Sequence, residues 1–141
     1  MAISLNPYLG FKDNAREAME FYRSVFGGDL RMSSFKEFGA SSAPEEDDLV
    51  MHSQLVTTDG LVLMGSDTPD RMSYNPGDNF SVSLSGAAED GEVLRGYWAK
   101  LSEGGQVTVP LETAAWGDAF GMLKDRFGIT WLVNIAEPQS S

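Results

Sequence analysis

Leu5-Asn6-Pro7-Tyr8-Leu9-Gly10-Phe11 runs almost directly into Asn14-Ala15-Arg16-Glu17-Ala18-Met19-Glu20-Phe21-Tyr22-Arg23-Ser24-Val25-Phe26-Gly27-Gly28, and the change of rhythm between them decides the fold. In the first stretch Leu5, Pro7, Leu9 and Phe11 alternate with Asn6, Tyr8 and Gly10. That period of two predicts a strand, and Pro7, which has no N–H to donate, puts it at an edge or a strand start. In the second stretch Ala15, Ala18, Met19, Tyr22, Val25 and Phe26 share one helical face. Asn14 with Glu17 three residues later reads as a capping box, and Gly27-Gly28 closes the helix, predicted over about residues 14–26.

Working outward, Leu30 to Phe38 reads as a second strand and Gly39 to Asp48 as a Ser/Pro/acid-rich loop. Within that loop Glu45-Glu46-Asp47-Asp48 is expected to be solvated, with a partner-binding or cation-attracting role as the other reading. Val50 to Thr57 and Leu61 to Ser66 are predicted strands around a hairpin signal at Thr58-Asp59-Gly60. Residues 67–79 read as a connector.

The order then starts again. Phe80, Val82 and Leu84 alternate with Ser81, Ser83 and Ser85, a strand. A helix over about 89–103 places Val93, Leu94, Tyr97, Trp98 and Leu101 on one face and ends at Gly104-Gly105. Strands follow at Gln106 to Leu111, interrupted at Pro110, at Trp116 to Lys124, and at Ile129 to Ile135 after a turn at Phe127-Gly128. The polar tail from Glu137 is expected to fray. The fold class is therefore α+β: tandem βαβββ modules with two curved, mostly antiparallel sheets and helices outside. The modules span residues 1–68 and 79–137 within one domain, 1–141.

Composition narrows the function. The chain has 141 residues, 42% of them apolar, enough for a real core. A net charge of −11 disfavours nucleic acid and anionic lipid as partners. No apolar run reaches the roughly 20 residues that cross a bilayer. Met1 to Leu5 lacks the basic and apolar regions of a signal peptide, and the chain has no cysteine, so a cytoplasmic location is expected.

A helix covers one face of each sheet, so the other face is expected to line a groove between modules, where small molecules commonly bind. The polar members of the alternating strands should face it: Asn6 and Tyr8, His52 and Gln54, Ser81 and Ser83. Tyr8 could offer its hydroxyl there or simply pack. His52, the only histidine, could act as a general base, as a hydrogen-bond partner to a substrate, or be satisfied by its neighbours. It lies eight residues before Gly60, as Phe120 lies eight before Gly128, so the two are repeat equivalents. Trp116 and Phe120 could cradle a flat ligand or belong to the core, whereas Trp131 is read as core. Asp67 and Asp125 are read as solvated turn acids. Neither a nucleophile elbow nor a glycine-rich nucleotide loop is present.

Tyr8-Leu9-Gly10-Phe11, the helix through Gly27-Gly28, Met51-His52, Ser66-Asp67, Gly104-Gly105, Trp116-Gly117-Asp118, Phe120-Gly121 and Asp125 to Trp131 together resemble the PhnB-like branch of the vicinal oxygen chelate superfamily, over nearly the whole chain. The resemblance implies the tandem βαβββ fold and a homodimer, sometimes with exchanged modules. It leaves the reaction open, since the superfamily includes lyases, isomerases, dioxygenases, thiol transferases and antibiotic-sequestering proteins. Its catalytic members hold a divalent ion with His and Glu from the first and last strand of each module. Here those positions fall on Asn6, Ser81, Met64 and Leu132, which are poor ligands. The expectation is thus a small-molecule-binding protein with no metal or other cofactor. The alternatives are a metal-dependent lyase or dioxygenase with His52 and unforeseen carboxylates, and a dimeric interaction module without a ligand.

Overall fold

The structure, a computed structural model, describes residues 3–138. Met1 and Ala2, where no signal peptide is expected, and residues 139–141 of the tail expected to fray, lie outside the described residues. The chain divides into two compact units between Pro76 and Gly77.

The first unit contains β1 (Tyr8–Phe11), α1 (Ala15–Phe26), β2 (Asp29–Ser34), β3 (Val50–Val56) and β4 (Val62–Asp67). Its sheet has the order β1-β4-β3-β2, with β1 and β4 parallel and the other pairs antiparallel. The second contains β5 (Val82–Gly86), α2 (Gly91–Ser102), β6 (Gln106–Thr113), β7 (Ala119–Lys124) and β8 (Thr130–Ile135). The order β5-β8-β7-β6, again with a single parallel pair, repeats the first sheet strand for strand. The α+β tandem βαβββ architecture is therefore as the sequence predicts.

Helix α1 buries Ala15, Ala18, Met19, Tyr22, Val25 and Phe26, the very face its periodicity selects. Under it lie Leu9, Phe11, Leu55 and Leu63, all buried. Each large apolar side chain removed from water here contributes about 1.5–3 kcal/mol. In the second unit Leu94 and Leu101 of α2 are buried, as are Leu84, Leu123, Trp131 and Val133 of the sheet. Val93, expected on this face, is 49% exposed, and Tyr97 and Trp98 are half-buried.

Both glycine pairs serve a second purpose beyond ending a helix. A Cβ at Gly28 would collide with the Val56 carbonyl and the Thr57 backbone, and one at Gly105 with the Lys124 carbonyl and the Asp125 backbone. The hairpins pressed against them match. Thr57 Oγ1 accepts from the Leu61 N–H, and Asp125 Oδ1 accepts from the Ile129 N–H, at equivalent places.

Several expectations are corrected. Strand β1 starts at Tyr8, not Leu5, because its ladder with β4 begins at Tyr8 and Pro7 offers no N–H; Leu5 is 99% exposed. The capping box does not form. The Asn14 side chain makes no cap bond, and Asp67 Oδ1 accepts the Ala15 N–H at 2.9 Å instead. Asp67 Oδ2 accepts the Val50 N–H at 2.9 Å, so this residue is a buried staple rather than a solvated turn acid. Asp125 is buried too, taking the Phe127 and Ile129 N–H groups on Oδ1 and the Trp131 indole N–H on Oδ2. Carboxylates survive burial only when such donors replace water.

Strand β2 stops at Ser34, where Ser34 and Glu37 exchange two bonds and turn the chain. The acidic run is not uniformly solvated. Pro44–Glu46 form a 3-10 turn, and Glu46 is buried, accepting from Arg71 Nε and the Ser42 N–H. The second half corrects likewise. Strand β5 starts at Val82, leaving Phe80 63% exposed. Helix α2 starts at Gly91 after a 3-10 turn at Ala88–Asp90. Strand β6 runs through Pro110 to Thr113, tolerated because β6 is an edge whose register shifts twice around that proline. Strand β7 starts at Ala119, which leaves Trp116 in the preceding hairpin turn. Glu137 is held, its N–H donating to Asp118 Oδ1 at 3.0 Å.

Candidate functional site

Alternation sends every second strand residue away from the helix. In the first sheet Leu9, Phe11, Ser53, Leu55, Leu63, Gly65 and Asp67 are buried toward α1. Tyr8, His52, Gln54, Met64 and Ser66 therefore occupy the helix-free face. The registers lay them out as a row, Tyr8 beside Met64, Met64 beside Gln54 and Gln54 beside Arg31. His52 stands opposite Ser33 of β2, one step along.

Tyr8 on β1 and His52 on β3 are separated by β4, yet the tyrosine side chain reaches over that strand. Its Oη lies 3.0 Å from His52 Nδ1. The two rings stack with centroids 5.7 Å apart and planes 28° from parallel. Tyr8 is 48% exposed and His52 half-buried, so the pair is a rim and not a sealed core. Gln54 shares the face but has no hydrogen bond to either.

The second sheet carries a different chemistry on the equivalent face. Ser83 stands beside Leu132 as Tyr8 stands beside Met64, and Met122 pairs with Leu132 as Gln54 pairs with Met64. Phe120 takes the place of His52 and pairs with Asn134. Trp116, 62% exposed, tilts against Phe120 with centroids 5.8 Å apart. Ser81 precedes β5 and is exposed. Sequence reasoning passed over Asp118 and Asn134. Asp118 Oδ2 accepts from Asn134 Nδ2 at 3.1 Å, and this bond, with the one from the Glu137 N–H, holds the Asp118 carboxyl below the ordinary carboxylate range. The signal available was Trp116-Gly117-Asp118, a turn with an acid that could reach the strand ends.

The fold's catalytic members imply a divalent ion held by first- and last-strand side chains. The donors here do not fit one. The paired positions are Tyr8 with Met64 and Ser83 with Leu132. The nearest strand-end acid, Asp67, points to the helix side with both oxygens taken by backbone N–H groups. Among the described residues no three or more His, Asp and Glu side chains converge. No helix of the described residues is long and apolar enough to cross a membrane.

A family model described as 3-demethylubiquinone-9 3-methyltransferase matches residues 4–134. The crystal structure of protein PA1353 from Pseudomonas aeruginosa is 34% identical, covers 97% of this chain and 100% of its own, and superposes with a TM-score of 0.79. A Bacillus cereus structure described as a putative 3-demethylubiquinone-9 3-methyltransferase, PhnB protein, is 25% identical, covering 95% of this chain and 100% of its own at a TM-score of 0.70. Protein YjdN of Escherichia coli (strain K12) is 24% identical over 96% of this chain and 97% of its own length. A glyoxylase/bleomycin resistance protein/dioxygenase domain from Frankia sp. EAN1pec, 13% identical at a TM-score of 0.61 over 99% of this chain and 96% of its own, shares the fold alone.

Proposed function

Since the chain belongs to the PhnB-like 3-demethylubiquinone-9 3-methyltransferase family, within the vicinal oxygen chelate superfamily, we propose that it binds a small molecule on the helix-free sheet faces, without a bound metal ion. The observation that carries this reading is the Tyr8–His52 pair, hydrogen-bonded at 3.0 Å on a face that also presents Gln54 and Met64. A few polar groups set among apolar side chains are what orients a small ligand. On the helix-free face of the second unit, Ser83, Phe120 and Trp116 offer a contact surface of their own, the aromatic pair giving area for a flat group. Ser81 lies at its margin.

Methyl transfer does not follow from the family description alone. The turn from β1 into α1, Lys12-Asp13-Asn14, lacks the glycine-rich sequence that cradles a nucleotide cofactor. The reading includes a homodimer and a cytoplasmic location, which sedimentation equilibrium and cell fractionation would test.

The central test is a thermal-shift screen of chelator-treated protein against chemically diverse small molecules. A ligand at one hundred times its Kd stabilises by about 2.7 kcal/mol, or about 5–10 °C in Tm for a chain of this size. Y8F and H52A should weaken that shift. No stabilising compound in a broad screen, or stoichiometric Zn, Ni, Mn or Fe in protein purified without chelator, would overturn the proposal.

A further inference from the structure

The Tyr8–His52 pair sets more than a position; it sets which proton His52 carries. Tyr8 Oη meets Nδ1, the ring nitrogen nearer the backbone, at 3.0 Å. A neutral imidazole has one N–H and one bare nitrogen, and the bond made by either nitrogen decides the state of the other. A phenol is a good donor and a poor acceptor, because its oxygen lone pair is delocalised into the ring. A bare imidazole nitrogen is a good acceptor. The favourable arrangement therefore has the Tyr8 hydroxyl donating to a bare Nδ1, which leaves the proton on Nε2. No other partner for either side chain exists among the described residues that would reverse this order.

We propose that Tyr8 is a positioning residue that locks His52 as its Nε2–H tautomer, so that His52 offers the ligand a hydrogen-bond donor and is not a general base toward it. The ligand class follows from that chemistry: compounds whose polar group is an acceptor oxygen, such as a ketone or a carboxylate, beside an apolar or aromatic body. Met64, next to Tyr8 in the same row, supplies the apolar neighbour. Gln54, on the other side of Met64, supplies a second adaptable polar group. This inference rests on the binding role proposed above, but its test does not.

Because His52 is the only histidine, its ring nitrogens can be observed without assignment ambiguity by long-range 1H–15N correlation in protein labelled with 15N-histidine. In ligand-free protein at pH 8.5, Nε2 should resonate as a protonated nitrogen and Nδ1 as a bare acceptor. In Y8F the Nδ1 resonance should move to that of an unbonded nitrogen. A predominant Nδ1–H tautomer, or an Nδ1 resonance unmoved by Y8F, overturns the tautomer assignment even if the ligand screen succeeds. A failed screen with the expected tautomer sinks only the binding role. For ligand class, acetophenone and benzoate should shift the Nε2 resonance where ethylbenzene does not. The same shift with ethylbenzene, or no shift with either oxygen-bearing probe, overturns that part. Acetophenone should bind about three- to tenfold more weakly to H52F, the loss of one neutral hydrogen bond.

Discussion

Replacing Asp67 should unravel the start of α1 and loosen the start of β3 together, because one carboxylate holds both. Its Oδ1 accepts the Ala15 N–H and its Oδ2 the Val50 N–H, each at 2.9 Å. Neither donor can turn to water, since Ala15 is 0% and Val50 1% exposed. A hydrogen bond to a charged group contributes about 1.5–3 kcal/mol, and a buried donor left unpaired costs about 1–3 kcal/mol. Two such bonds would give about 3–6 kcal/mol. Relief from burying the carboxylate, itself only 6% exposed, offsets part of that. The net expectation for D67A is a loss of about 2–5 kcal/mol. D67N keeps one acceptor oxygen and turns an amide N–H₂ toward the other donor, so it should fall between wild type and D67A. Urea unfolding followed by far-UV circular dichroism is the right assay, since all three tryptophans belong to the second unit and would miss the event. Amide exchange at Ala15 and Val50 should accelerate in step with the lost stability. A D67A protein within about 0.5 kcal/mol of wild type, the range of an ordinary surface substitution, would refute the reasoning.

Three further outcomes are expected. G28A should cost more than about 3 kcal/mol, since its methyl would meet the Val56 carbonyl and φ is +104°, whereas G60A, with open space around it at φ +85°, should cost about 1–2 kcal/mol; paired urea titrations compare them. W131F removes the indole N–H that donates to buried Asp125 at 2.8 Å and should lower stability by about 2–4 kcal/mol, read as a shift in urea midpoint. N134A should raise the Asp118 carboxyl toward the ordinary range, measured by NMR titration; because the folded group titrates below the unfolded value of about 3.9, its contribution is full above that pH and fades as pH falls through the folded value, so an unmoved titration would count against this account.

The repeat and the α1 face were legible because periodicity and helix-ending glycines are local signals. The helix-free placement of Tyr8, His52 and Gln54 follows from alternation alone. What sequence could not deliver was any partnership across distance. The cap on α1 comes from Asp67 in β4, while the adjacent Asn14 and Glu17, which look like a box, make no such bond. Glu46 is buried only because Arg71 arrives from beyond β4. The reach of Tyr8 over an intervening strand to His52 depends on the order β1-β4-β3, which no stretch of primary structure announces. Strand limits failed where one residue lacks a donor or a ladder lacks a partner, as at Leu5 and Phe80.

Strand β6 is a rim of eight residues with Val107 and Val109 exposed, the kind of border on which another molecule's backbone could stack. Pro110 withholds an amide in the middle of it, and the register shifts between Val107 and Val109 and between Val109 and Glu112 spoil any regular spacing of the remaining amides and carbonyls. The outcome is a border that resists templated growth, so restoring its regularity with P110V should leave folding nearly untouched and make the concentrated protein prone to fibrous precipitation.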